Sequence, residues 1–278
     1  MGKVYDALRR AEEQRSRRLH DAADVGHAAT DVAAPLRSEA PALARRRDPA
    51  PDLAEGGDAH NRRRIVILQP ESAIAEQFRS LRARIDALAE SRPLRTIAVT
   101  SALPGEGKTM AAISLAAVSA MQLARRVLLV ECDLRKPVIA ASLGLRLDAG
   151  LSEILADGAP LEQAIQRAPG TGLDVLAVRA LPQNPSELLA SDGFRRLLEQ
   201  LASRYERIVL DLPPTLGLPD AKTVSGLCDG AVFVVHADTT PQADVEAALE
   251  VLGRERLLGV VMNGAEAHTD TYAKYVRG

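Results

Sequence analysis

Apolar residues along this chain gather into short unbroken runs separated by stretches of helical period. Residues 96–100, 126–131, 175–178, 208–211, 231–235 and 258–262 are such runs, rich in Val, Leu and Ile. Continuous rather than alternating apolar runs predict strands covered on both faces, the pattern of a mostly parallel sheet. Between them lie helical patterns. In 72–90, Ile74, Phe78, Leu81, Ile85 and Leu88 recur at helical spacing behind Ser72, a residue suited to N-capping. Residues 110–124 are Ala-rich, and 194–203 and 242–252 supply further helices. The expected fold is α/β: a doubly wound, mostly parallel sheet flanked by helices.

The ends differ in character. Residues 1–19 predict a short amphipathic helix, with Val4, Leu8 and Ala11 on one side. Residues 20–64 are rich in Ala, Pro, Asp and Arg without period and predict a disordered linker. Arg45–Arg47 and Arg62–Arg64 punctuate it, and solvated linker charge is the plainest account of both. The ordered domain is expected over 65–265, with a flexible tail over 266–278.

The first strand runs into Ser101-Ala102-Leu103-Pro104-Gly105-Glu106-Gly107-Lys108-Thr109, and a helix follows. Strand, glycine loop, Gly-Lys-Thr and helix make the context of a phosphate-binding P-loop. Gly105 and Gly107 let the backbone curl its N–H groups toward phosphate oxygens. The helix N-terminus adds its positive end. Pro104, Glu106 and Met110 complete the expected nucleotide contacts. Lys108 supplies a point charge near the phosphates, and the Thr109 hydroxyl is placed to ligate Mg²⁺. The general pattern asks for Gly at 102, where this chain has Ala, a substitution tolerable if φ stays negative. The fold expected is therefore that of a P-loop NTPase.

Acids close two other apolar strands. Asp211, before Leu212-Pro213-Pro214, fits a Walker B carboxylate that holds Mg²⁺ directly or through water. Glu131 and Asp133, two apart, face one side of an extended chain. Two carboxylates at a phosphate site can act as metal ligand and as general base. Taken alone, an acid at a strand end is more often a cap or a loop ion pair. Three on the P-loop edge favour chemistry.

Composition narrows the class. Hydrophobic content is 46% and aromatic content 3%, so the core is built from Ala, Leu, Val and Ile. A formal net charge of −2 argues against nucleic acid as a partner. Two cysteines, Cys132 and Cys228, are too few for a disulfide framework and suit a reducing cytoplasm. The N-terminus lacks the apolar segment of a signal peptide, and the run 111–124 is too short to cross a bilayer. A soluble protein that meets the membrane through a partner is expected.

These motifs, in this order, resemble those of the bacterial tyrosine kinases that accompany capsule and exopolysaccharide synthesis. The resemblance covers roughly residues 72–278. Residues 104–109 look like the family's Walker A, 130–137 like its Walker A′ (normally D-x-D-x-R) and 208–214 like its Walker B. Asn184 to Leu189 match a common family segment. Glu76, Arg79 and Arg82 match an E-x-x-R-x-x-R motif that in the family packs between subunits of a ring. Asn263 matches the strand-end Asn that reads adenine. The start and the short tail look most like the soluble autokinases of exosortase-linked loci.

The resemblance implies an ATP- and Mg²⁺-dependent autokinase acting in trans on tail tyrosines, here Tyr272 and Tyr275. Lys108, Glu131, Asp133, Asp211 and Arg135 would carry the chemistry, with Thr109, Asp133 and Asp211 around the metal. It also implies a homo-oligomeric ring, a membrane polysaccharide co-polymerase as activator, and a tyrosine phosphatase. The protein would work at the inner face of the cell membrane. A rival is an assembly switch of the partitioning-ATPase type. Those proteins carry an early P-loop Lys that residues 103–106 lack.

Overall fold

The computed structural model describes residues 57–122 and 125–265. The N-terminal helix expected over 1–19, most of the linker, and the tail with Tyr272 and Tyr275 lie outside the described residues. Chain order opens with α1 (Gly57–Arg63), a single turn α2 (Ile65–Leu68) and α3 (Ala73–Ala89). Helix α1 corrects one expectation, since the linker was carried through residue 64. The short, Arg-rich stretch shows no apolar period of its own. It packs instead on helices that follow it in the chain.

Strand β1 (Thr96–Ser101) leads into α4 (Lys108–Ala120), then β2 (Val127–Glu131), α5 (Ile139–Leu143), α6 (Leu151–Asp157) and α7 (Leu161–Ala164). Next come β3 (Ile165–Arg167), β4 (Leu173–Leu176), α8 (Pro185–Ala190), α9 (Asp192–Arg204) and β5 (Arg207–Asp211). The chain continues through α10 (Asp220–Ser225), β6 (Gly230–His236), α11 (Gln242–Leu252) and β7 (Leu257–Asn263). The expected strands all form. The one drawn at 175–178 sits two residues earlier, and β3, too short to show a period, was not foreseen.

Strand order is β3-β4-β2-β5-β1-β6-β7, parallel throughout except the β3–β4 pair. Strands β1, β2 and β5 are buried at every position. Their residues alternate between two cores, one on each face. Ala98, Leu128 and Val130 join one core, and Ile97, Val99, Leu129 and Val209 the other. That is the period-2 geometry of a strand inside two helical layers. The doubly wound α/β fold is thus as expected.

Helix α3 differs in its buried face. Ser72 caps it by accepting the Ala75 N–H at 3.2 Å. Ala75, Phe78 and Ile85 are buried, but Ile74 and Leu88 stay 42% and 41% exposed. The helix is rolled so that Arg82 reaches inward and donates to the Val118 carbonyl of α4 at 2.9 Å. Parallel pairing gathers the carboxyl ends of β1, β2 and β5 at one rim, where α/β sheets bind ligands. Register places Asp211 level with Glu131 on one side and with Val99 on the other.

Candidate active site

The P-loop runs between β1 and α4. Gly105 and Gly107 have φ of 86° and 94°, the left-handed region that an L side chain resists. Ala102 is fully buried, and the only non-glycine with positive φ among the described residues is Asp238. The missing glycine at 102 therefore costs no strain. Gly107 is needed twice over, because a Cβ there would lie 2.2 Å from the Asn263 amide nitrogen.

Two P-loop contacts differ from expectation. The Glu106 carboxylate turns inward, accepting the Leu103 N–H at 2.6 Å on one oxygen and the Thr240 hydroxyl on the other. Only its backbone is left to face a phosphate. Asn263, expected to read adenine, donates from Nδ2 to the Glu106 carbonyl at 2.9 Å. It pins the loop from the end of β7.

Lys108 leaves the first turn of α4 and meets Asp133, Nζ to Oδ2, at 2.9 Å. The other Asp133 oxygen accepts the Lys136 N–H at 3.1 Å. Burial works to lower the Lys108 pKa, but Asp211 and Asp133 outweigh it and hold the ammonium charged. Asp211 is 1% exposed. Neither of its oxygens has a well-formed hydrogen bond among the described residues, although the Thr109 hydroxyl lies close enough to pull on it. Burial pushes its pKa up to about 6, helped by Asp133, against the pull of Lys108, of the Thr109 hydroxyl and, most weakly, of Arg63. A buried carboxylate left orphaned is costly unless a cation joins it. Among the described residues no three His, Cys, Asp or Glu gather into a metal cage. One carboxylate beside the Thr109 hydroxyl is instead the sparse donor set that Mg²⁺ uses together with phosphates and water.

Glu131 does not join this group. One carboxylate oxygen accepts the N–H of Val138 at 2.5 Å and of Ile139 at 2.7 Å, at the start of α5. The other accepts the Val178 N–H at 3.0 Å, just past β4. Burial pushes its pKa up to about 7, although those three backbone donors pull the other way. Expected as a base or metal ligand, Glu131 here has both oxygens on backbone N–H groups. Extended-strand geometry put Glu131 and Asp133 on one side, but β2 ends at 131 and the chain turns. Glu131 borders a separate cavity of ≈ 410 Å³ behind the Asp133 loop.

Arg135 likewise holds structure together. Its Nε lies 3.3 Å from Asp220 Oδ2, and its terminal nitrogen donates to Ser186 Oγ at 2.8 Å. It thereby ties the 184–189 segment and α10 to the loop. Asp220, only 2% exposed, escaped sequence reading because nothing local marks it. On α3, Glu76 and Arg79 pair at 2.8 Å, and Arg82 approaches Asp86 at 3.8 Å. These three candidate interface residues therefore have partners within one chain.

Above the loop opens a cavity of ≈ 360 Å³. Its walls include Pro104, Gly105, Gly107, Lys108, Thr109 and Met110, with Asp133 and Arg135 opposite. Arg63, Lys136, Pro214 and Leu218 also line it and were not singled out from the sequence. Lys136 and Pro214 lie inside motifs that were noticed. Arg63 was taken for linker charge, and only packing of α1 reveals it.

A protein-family model described as an AAA domain matches residues 94–243. The tyrosine-protein kinase YwqD of Bacillus subtilis is 35% identical over 210 residues, which cover 75% of this chain and 88% of YwqD. This chain belongs to the bacterial tyrosine-protein kinase family. It is an enzyme of the P-loop class, and its loop binds nucleotide. The succinoglycan biosynthesis transport protein ExoP of Rhizobium meliloti is 32% identical over 76% of this chain, yet the match spans only 29% of ExoP. Among solved structures, the kinase domain of Escherichia coli tyrosine kinase ETK superposes with a TM-score of 0.69 at 29% identity, covering 73% of this chain and 80% of that one. Among the described residues no helix is long and apolar enough to cross a membrane.

Proposed function

We propose that this kinase transfers the γ-phosphoryl group of ATP to Tyr272 and Tyr275 of a neighbouring copy, and that this controls exopolysaccharide polymerisation or export. The observation that supports it most is the Lys108–Asp133 pair set over the orphaned Asp211 carboxylate. Asp211 and Thr109 would hold Mg²⁺, which would supply positive charge against the phosphates undergoing transfer. Loop N–H groups and the α4 N-terminus orient the phosphate chain. Lys108 moves from Asp133 to the phosphates as nucleotide binds. That frees one Asp133 oxygen to accept the tyrosine proton, while the other stays on the Lys136 N–H. Glu131, with both oxygens engaged, holds the Asp133 loop in place. Arg135 keeps that loop against α8 and α10.

Glu76, Arg79 and Arg82 support assembly of a ring in which one copy's tail meets the next copy's site. Each phosphotyrosine adds roughly −1.5 to −2 charge, which would loosen such a ring. A membrane polysaccharide co-polymerase serves as activator, placing the protein at the inner face of the membrane, and a tyrosine phosphatase resets the tail. The exosortase-linked type is the setting we take, from the likeness of residues 2–8 to that type.

The test is mass spectrometry of the C-terminal peptide from native cells grown under polymer-producing conditions. Phosphate on Tyr272 or Tyr275 that disappears in a Lys108→Met strain supports the reading. An unmodified tail in wild-type cells with phosphatases inhibited would refute it and favour an assembly switch.

A further inference from the structure

We propose that Arg63 is a phosphate-contacting residue of the nucleotide site, delivered by the short helix that precedes the sheet. This rests on the nucleotide reading of the P-loop and adds to it a residue from outside the family-like segment. Helix α1 packs on α4, the P-loop helix, and on α5, which follows the Asp133 loop. That packing brings Arg63, in the last turn of α1, into the wall of the P-loop cavity.

Four cations line this cavity: Arg63, Lys108, Arg135 and Lys136. Two are already engaged. Lys108 is held by Asp133 at 2.9 Å, and Arg135 by Asp220 at 3.3 Å. Among the described residues no acid lies within ion-pair distance of Arg63 or Lys136, although Arg63 is near enough to Asp211 to pull weakly on its pKa. Arg63 is half-buried, whereas Arg62 beside it is exposed. A cation in the last turn also suits the helix's own dipole, but that interaction is satisfied in open solvent. It gives no reason for Arg63 to face a cavity floored by phosphate-binding backbone.

A guanidinium presents a planar fork that matches two phosphate oxygens, which an ammonium cannot do. Arg63 therefore adds a cation beside Lys108, which must first leave Asp133, and Arg135, which is engaged with Asp220. It also comes from an element separate from the loop. Nucleotide bound between Lys108 and Arg63 would fasten α1 over the site.

The test uses the full-length protein and a non-hydrolysable fluorescent ATP analogue with Mg²⁺, with ADP in parallel. Arg63→Ala is expected to weaken the dissociation constant by about tenfold or more for at least one nucleotide. Arg62→Ala should stay within about twofold of wild type. Arg63→Lys should recover only part of the loss. Hydrogen exchange gives a second readout: nucleotide should slow exchange across residues 57–64 in wild type and not in Arg63→Ala. Arg63→Ala matching Arg62→Ala on both readouts, while Lys108→Ala still loses binding, overturns the proposal and leaves the nucleotide site standing. Binding that survives Lys108→Ala overturns the site itself, and the proposal with it. Should Arg63→Ala fail to fold, Arg63→Lys compared on the same readouts decides.

Discussion

Replacing Glu131 with Asp should weaken this protein, although Asp keeps the carboxylate and is what the D-x-D-x-R pattern that residues 131–135 resemble has there. Glu131 is the single acceptor for three backbone N–H groups, from Val138, Ile139 and Val178, that sit on two different segments. Its oxygens bridge those segments because the side chain is long enough. Asp is one methylene shorter and cannot serve both. Losing the partner of even one buried donor costs about 1–3 kcal/mol. In a domain of this size that lowers the melting temperature by about 2–12 °C. The loop so released carries Asp133, so nucleotide-dependent phosphorylation should fall as well. Differential scanning fluorimetry and a tail-phosphorylation assay on the same Glu131→Asp preparation read both effects. If Glu131 were the base or a metal ligand, Asp would restore the family's geometry. A variant with unchanged melting temperature and equal or faster phosphorylation would therefore refute the clamp.

The pH dependence of stability follows from the same group. A folded pKa of about 7 against an ordinary 4.5 means the folded state holds more protons across that window. Stability is therefore full below 4.5 and lost as pH rises toward 7, by up to about 3 kcal/mol from this group. Glu131→Gln should flatten that part of a pH series of urea unfolding curves. Gly107→Ala should abolish nucleotide binding, since its Cβ would lie 2.2 Å from Asn263 at a φ of 94°. Gly105→Ala, strained at a φ of 86° but with open space around the new methyl, should weaken binding only in part, as titration calorimetry would show. Asp86→Ala should destabilise the fold by about 3–5 kcal/mol, because it removes the acid that pairs with buried Arg207 at 2.9 Å. Chemical denaturation checks that value.

Strand positions, the P-loop, the acids that close strands and the Ser72 cap were all legible in the sequence. Each is a local pattern: an apolar run, a glycine spacing, a side chain three residues from the N–H it caps. The family motifs were legible for the same reason, and they led to the right fold class. What the side chains do within those motifs was decided by tertiary structure. Glu131 and Asp133 are two residues apart, yet one clamps backbone while the other meets Lys108. The turn after β2 that separates them is held by N–H donors from the start of α5 and from just past β4. Asn263 stands 156 residues from Gly107, and only parallel stacking of β6 and β7 beside β1 brings it onto the P-loop. Arg63 looked like linker charge because its helix has no period of its own and gains its place from α4 and α5. Sequence thus determined which groups this protein owns and the order in which they come. Packing over long separations decided which of them face the phosphates, because a side chain's partners are set by the segments that fold against it.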